Sequence, residues 1–456
     1  MATIITQEPL YNVLPVGQDI MFAVANNGIV ANQVRVKFIA EVHISSTTPA
    51  NQNTSTDLIG TFKTTPNNAG VGMFDLSSVV ESYVKADNMA GIFSAYKGTS
   101  VTSLTQDVIP PMHLIDKYSF NTYSMKWLSI RFKVEYLDAT TNEIIVSTEE
   151  SDSGDFKIFN GYLKDTNKLW QFQSEFGYSM SNFELNAPTD KFLTNASVTQ
   201  YANIEDYGTI AFLDSNNNVE YIKLSYFNSD DVALGTPDEV ATSITPTSDI
   251  RQLYIYFGCY PANLRGWSTT FNSNISNIAY YRVQAFDDTD QVVSKAYTIN
   301  VNCPDLKGYE SIRLTWLNQW GAWDYYTFTK KSVKSLSTKG STYTQQSGTW
   351  NESAYRIKGY KGGQKSFRVN ATERIKMNTD FVNEAEGEWF EELINSPEVY
   401  ILEGYQTDVG NPLLNTYVTP VRLTTSSYIR KTVANDRLMQ YTFEVEKSKT
   451  LRTQAV

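Results

Sequence analysis

QVRVKFIAEVHI, residues 33–44, decides the fold class. Val34, Val36 and Phe38, then Ala40, Val42 and Ile44, recur at every second position, the period that sends successive side chains to opposite faces of a sheet. One face is apolar and the polar partners lie outside, so the segment is expected as a strand. His43 falls on the opposite, wetter face and is expected as an ordinary surface imidazole. Outward from this strand, three segments share one design: RFKVEYLDATTNEIIVS (131–147), TIAFLDSNNNVEYIKLSYF (209–227) and YYRVQAFDDTDQVVSKAYTINV (280–301). In each, an aromatic or aliphatic run reaches Asp, passes through turn-forming residues and resumes as a second alternating run, so each predicts a hairpin. Their uneven spacing suggests similar β-sandwich modules rather than a short-period solenoid.

Length and composition agree. At 456 residues the chain is too long for one core, and aromatics reach 13% while charged residues stay at 19%. The fold class expected is mainly β, several stacked β-sandwich (immunoglobulin-like) domains with a few short helices. Turn-rich SDSGD (151–155) and NCPDLKG (302–308) suggest boundaries, giving an N-terminal domain 1–155, a central domain 156–305 and a C-terminal domain 306–456. LGTPDEVATSITPTSD (234–249) reads as a long loop. FDLSSVVESYVKA predicts a short helix over 76–84, with Asp75 or Ser78 as cap and Ser78 and Glu81 at capping-box spacing. TDFVNEAEGEWFEELIN predicts a second over about 380–395, with Phe381, Ala385, Trp389, Leu393 and Ile394 on its apolar side, Glu384, Glu388, Glu391 and Glu392 toward water, and Pro397 ending it.

Several chemistries are excluded or unsupported. A net charge of −11 argues against a general nucleic-acid binder. Two histidines, His43 and His113, cannot build a His-rich metal cluster. Cys259 and Cys303 lack metal or disulfide spacing and read as two reduced, half-buried thiols. The first twenty residues lack the pattern of a secretion signal, and no stretch approaches a membrane span. DSNNNVE (214–220) faintly resembles a calcium loop, but Val219 replaces its glycine and Ser225 its final glutamate. Asp324 near three tryptophans could be imagined as one acid of a glycosidase pair, with no second acid at a defined separation. KGYKGGQK (358–365) reads as a turn, or at most a weak anion contact. The expectation is no catalytic residue, no cofactor and no metal.

SIRLTWLNQWGAWDYYTFTKK (311–331) is the densest signal: a strand interrupted over Asn318 to Gly321, with Trp316, Trp320 and Trp323 around a glycine turn. Such indoles serve a domain core or an interface anchor. STKGSTYTQQSGTWNES (337–353) carries too little apolar area for a core and is expected either disordered or as an arm that orders on a partner. Residues 201–250 hold nine acids against Lys223, and residues 421–456 hold seven bases against three acids. That asymmetry suits head-to-tail contact between identical subunits.

RLTWLNQWGAWDYYTF, the polar stretch after it, EWFEELINSPEVYI, TPVRLTTSSYIRKT and QYTFEVEKSK together resemble structural proteins of tailed bacteriophages that infect Bacteroidetes, especially the crAss-like phages. The opening, QEPLYNVLPVGQDIMFAV with KTTPNNAGVGMFDLSSVVESYV, is similar to such proteins too, while about 155–305 matches no pattern. The resemblance implies a non-enzymatic virion subunit, an oligomeric ring of the neck and tail below the portal, made in the host cytoplasm. Its partners would be copies of itself and other neck and tail proteins (portal-proximal rings, tail hub, fibres), with no membrane and no sequence-specific nucleic acid. The interface residues expected are Trp316, Trp320, Trp323, the arm 337–353, and Arg430, Lys431, Lys447 and Lys449. The alternative is a receptor- or glycan-binding tail protein, with or without polysaccharide depolymerase activity.

Overall fold

The computed structural model of the chain describes residues 2–452, apart from 11, 47–49, 51–55, 91–109, 165–183, 215–217, 243–253, 303–308, 404–416 and 432–438. Its described residues are mainly strand, arranged in five sheets with a few short helices. Two compact units divide the chain. The first takes in Met1–Cys303 with Leu317–Asp324, and the second most of the remainder, Pro304–Trp316, Tyr325–Gly404 and Asn415–Val456.

The first unit opens with a sandwich. Met21–Ala25 lies between Ile4–Gln7 and Val71–Asp75, all antiparallel. The opposing sheet is built on Met125–Leu137, flanked by Val34–Ser45 and Phe156–Phe159 and widened by Leu58–Thr64 and Val13–Pro15. Phe22 and Phe74 from one layer meet Phe132 from the other at ring distances of 5.6 and 5.7 Å, and Phe22 also meets Phe156. Removing this apolar area from water is what holds the layers together.

Val36, Phe38, Ala40, Val42 and Ile44 are buried, as the period of two requires, while Val34 is exposed. The exception has a cause: Arg35 adopts φ 55 and the pairing to Met125–Leu137 shifts between Val34 and Lys37, so the alternation starts afresh there. His43 corrects the surface reading. It is 2% exposed, at a bulge between Val42 and His43 in the pairing to Leu58–Thr64. Burial pulls its imidazole below the ordinary value against the raising effect of the Glu41 carbonyl, which its Nδ1 meets at 3.1 Å.

The second half of this unit pairs a five-stranded sheet, in the order Thr199–Asn203, Tyr297–Asn302, Tyr280–Phe286, Tyr221–Phe227 and Asp238–Ala241, with a three-stranded one, Thr209–Leu213, Tyr254–Gly258 and Tyr118–Phe120. Tyr281 Oη donates to the carbonyl of Cys259 at 2.6 Å, and Phe192 wedges between Phe212 and Tyr297. Cys259 is buried, and Cys303 lies outside the described residues.

Two of the three expected hairpins form. Met125–Leu137 pairs with Ile144–Val146, and Tyr280–Phe286 with Tyr297–Asn302. Residues 209–227 do not: Thr209–Leu213 joins the smaller sheet and Tyr221–Phe227 the larger. Asp214 Oδ1 accepts the Asn218 amide at 2.7 Å, which caps a chain crossing between layers as readily as a hairpin. The single unit up to Cys303 also differs from a boundary at 155. Phe156–Phe159 completes the first sandwich, and Tyr118–Phe120, from before the expected boundary, pairs with Tyr254–Gly258.

The expected short helix is Ser77–Val80 continued by a 3-10 turn Glu81–Tyr83; its N-cap is Leu76 and neither Asp75 nor Ser78 caps it, although Asp75 Oδ1 accepts the Ser77 amide at 3.0 Å just ahead of the first turn. Of the long loop 234–249, Asp238–Ala241 is a strand, and 243–249 lie outside the described residues.

The turn within Leu317–Asp324 is fixed by Asn318, whose Oδ1 accepts the Trp320 and Ala322 amides at 3.0 and 3.1 Å. Gly321 has φ +75, and a Cβ there would run into the Asn160 carbonyl oxygen. Gly321→Ala should therefore lower stability by ~1–3 kcal/mol. A urea titration followed by circular dichroism reads it, and an unshifted midpoint would contradict the turn geometry.

The second unit holds all but Leu317, Trp323 and Asp324 of a seven-stranded sheet, in the order Trp323–Phe328, Ile312–Leu317, Val399–Leu402, Val418–Leu423, Thr442–Lys447, Gly363–Asn378 and Val333–Gln345. Its second layer is the helix Glu384–Asn395. Asn383 and Glu386 close a full capping box on it, and Trp389, Phe390 and Leu393 are buried. Glu392 is also buried, where the sequence places it toward water, while Phe381 and Ala385, expected on the apolar side, are exposed.

Candidate functional site

The last two strands of this sheet differ from every other pair. Val333–Gln345 and Gly363–Asn378 run antiparallel for thirteen paired positions, while Gly363–Asn378 meets Thr442–Lys447 only over Arg374–Asn378. Farther out, a single bridge joins Ala371 to Leu451. The remaining length is a two-stranded ribbon, and the paired stretch spans about 40 Å at ~3.4 Å per residue. Thr338, Thr342, Tyr343 and Thr344 are strand formers, which is why this Ser/Thr-rich sequence forms a ladder without a core beneath it. The arm expected at 337–353 is thus the outer part of a hairpin.

At its end the chain reverses through residues 346–362. Gly348 bridges Ile357, the Tyr355 ring lies against Gly348, and Lys358 N donates to the Ser347 carbonyl at 2.9 Å. Gly362 and Gly363, with φ +100 and +75, make KGYKGGQK a turn. Trp350 is 81% exposed, Ile357 77%, Tyr360 73% and Tyr355 63%, and farther down the ribbon Leu336 and Phe367 are exposed too. Arg356, Lys358, Lys361, Lys365 and Arg368 interleave with them against Glu352. The tip is cationic and aromatic on an acidic chain.

The three tryptophans expected as interface anchors are interior groups. Trp316 is 0% exposed and packs against Trp389 at 4.9 Å with the rings tilted by 45°, in the second unit. Trp320 and Trp323 are buried in the first unit; Trp323 Nε1 donates to the Asp87 carbonyl at 3.0 Å and its ring meets His113 edge-on. A side chain so enclosed has no area to offer a partner, so these residues are corrected to core.

The basic C-terminal residues are mostly spent inside the second unit. Arg430 bonds Glu388 at 2.7 Å and Glu391 at 2.5 Å, which raises its pKa. Lys431 Nζ reaches the Gln440 carbonyl and lies over the Tyr441 ring, and Lys447 pairs with Glu373 at 3.2 Å. Lys449 is exposed. The local excess of bases is thus offset by acids from neighbouring strands and the helix, a pairing no local count of charge can see.

Asp324 is 3% exposed and accepts from Thr194 Oγ1 at 2.6 Å and Asn318 Nδ2 at 3.0 Å, so it serves as a buried acceptor and not a cleft acid. Sequence reasoning missed a second buried acid, Asp87. It is 0% exposed, and its carboxylate accepts from Thr122 N, Tyr123 N and Tyr256 Oη at 3.0, 2.6 and 3.0 Å. A shallow depression of about 540 Å³ beside Ile4–Gln7 offers Glu8 and Asp152, the latter already held by Arg131 at 2.8 Å. Among the described residues no three-residue cluster of His, Cys, Asp and Glu has metal-binding geometry, and no helix is long and apolar enough to cross a membrane.

No family model matches the chain, and no curated protein matches it. Among solved structures, the native conformation of E. coli alpha-2-macroglobulin aligns over 82% of this chain at 9% identity with a TM-score of 0.18. This chain covers 21% of that one, and a likeness at that level carries no argument about fold or function.

Proposed function

We propose that the chain is a non-enzymatic structural subunit of a tailed phage virion, built into an oligomeric ring of the neck and tail below the portal. The ribbon carries the reading: a lone two-stranded hairpin is marginal in water, and one this long with both faces exposed is stabilised by covering it. Assembly subunits cover such arms with one another, in obligate interfaces often above about 2,000 Å². The sequence resemblance to crAss-like virion proteins supplies the virion setting. Mass spectrometry of purified particles should find the chain in many copies, and a density map of neck and tail should place it around the axis. Its absence from particles would remove the reading.

The exposed Trp350, Tyr355 and Tyr360 favour one alternative, a receptor- or glycan-binding tail protein that stacks sugars on the arm tip. A glycan array separates the two, since a ring subunit shows no saturable sugar binding. Depolymerase activity has less support, because Asp324 is enclosed.

A further inference from the structure

We infer that the arm tip of one copy docks on the acidic end of the five-stranded sheet of a second copy. The inference rests on the assembly reading above and names the partner of the arm.

The tip's five bases against Glu352 are complementary in charge to an acidic surface, and this chain carries one on its own first unit. Tyr221 pairs with Phe286 in the sheet, the Glu220 amide bonds the Phe286 carbonyl, and Lys223 sits across from Glu239. Those registers bring Glu220, Glu239, Asp287, Asp288 and Asp290 to one end, where Lys223 is already bound to Glu239 at 2.7 Å. Crowding is visible at the Tyr221 phenol, pushed up to about 12 by desolvation first and then by its bond to Asp290 and the charges of Glu239 and Asp287.

The same end carries an aromatic pair: the Tyr221 and Phe286 rings are stacked 5.3 Å apart with 3° between planes. Both are half-buried beside the carboxylates, and Lys223 Nζ already lies 5.3 Å over the Phe286 ring. Partly exposed rings bordered by acids suit a tip in which Trp350, Ile357 and Tyr360 lie among lysines, by ring packing and charge pairing. Because the two surfaces come from different parts of the chain, the contact is head-to-tail, the kind that closes into a ring when its rotation allows.

Sedimentation velocity of the full chain over a range of concentrations, at roughly 0.05 and 0.5 M salt, tests it. Wild type should self-associate, more weakly at the higher salt. Lys358→Glu with Lys361→Glu, and separately Glu220→Lys with Asp288→Lys, should each weaken association about tenfold or more, and mixing the two variants should restore it. Circular dichroism checks that both fold. Strictly monomeric wild type, variants that associate unchanged, a mixture without rescue, or a tip that binds duplex DNA in place of a second copy would each overturn the inference. Tip variants that still enter particles at full copy number would sink the docking inference and leave the assembly reading standing. A chain missing from particles would remove the assembly reading itself.

Discussion

Asp87→Ala should destabilise the first unit by ~2–4 kcal/mol, because a buried hydroxyl and two part-buried amides lose their acceptor at once, and a fully buried unsatisfied group costs about 1–3 kcal/mol. The donors are the Thr122 and Tyr123 amides and the Tyr256 hydroxyl. Asp87→Asn should behave differently. Its carbonyl oxygen can accept both amides and its NH2 can face the Tyr256 oxygen, while the cost of burying a charge disappears. Burial holds the Asp87 carboxyl above its ordinary value of 3.8, against the lowering effect of its hydrogen bonds. The folded state therefore binds the proton more tightly than the unfolded one, and the group's contribution to stability falls as pH rises from 3.8 to the raised folded value. Measured by denaturant titration, Asp87→Asn should gain on wild type across that window and hold the gain above it. A difference independent of pH would show that the carboxyl titrates alike in both states, and an Asp87→Ala variant as stable as wild type would contradict the three bonds.

That residue marks where local reading ends. The alternation of Val36 through Ile44 found its strand because a period of two is written in neighbouring positions, and the Asn383–Glu386 box found its helix for the same reason. Asp87 carries no such pattern, since its partners lie thirty-five or more residues away. The crossing at Asp214 failed as a hairpin because turn chemistry fixes a reversal and says nothing about which sheet receives the next strand. The bases near the C-terminus failed as a free cationic surface for the same reason: Glu373, Glu388 and Glu391 reach them only after folding. The arm was half legible. Its poverty in apolar groups signalled a segment without a core, yet the cationic, aromatic tip emerged only when Trp350 and Tyr360 were found exposed beside Lys358 and Lys361.

Trp316→Ala should cost ~3–5 kcal/mol in the second unit, the range for emptying a large buried aromatic site. Trp316 has no exposed area, and its ring lies 4.9 Å from Trp389 and 6.3 Å from Phe390, so the helix Glu384–Asn395 loses these ring contacts with Ile312–Leu317. Trp316→Phe should cost less than the volume alone suggests, because the buried Nε1 has no acceptor and removing it relieves an unsatisfied donor. Concentration separates a core residue from an anchor between subunits. Loss from a core is the same in dilute and concentrated protein, whereas loss at an interface grows with the population of assembled chains. Unfolding midpoints of Trp316→Ala and wild type should therefore differ by an amount independent of concentration. Trp350→Ala, at the arm tip, should leave the midpoint of dilute protein within about 0.5 kcal/mol of wild type while weakening self-association. If the pattern reverses, with Trp316 changing association and Trp350 changing stability, then the arm is the structural element and the buried indole the contact, and the division between core and docking surface drawn from exposure is wrong.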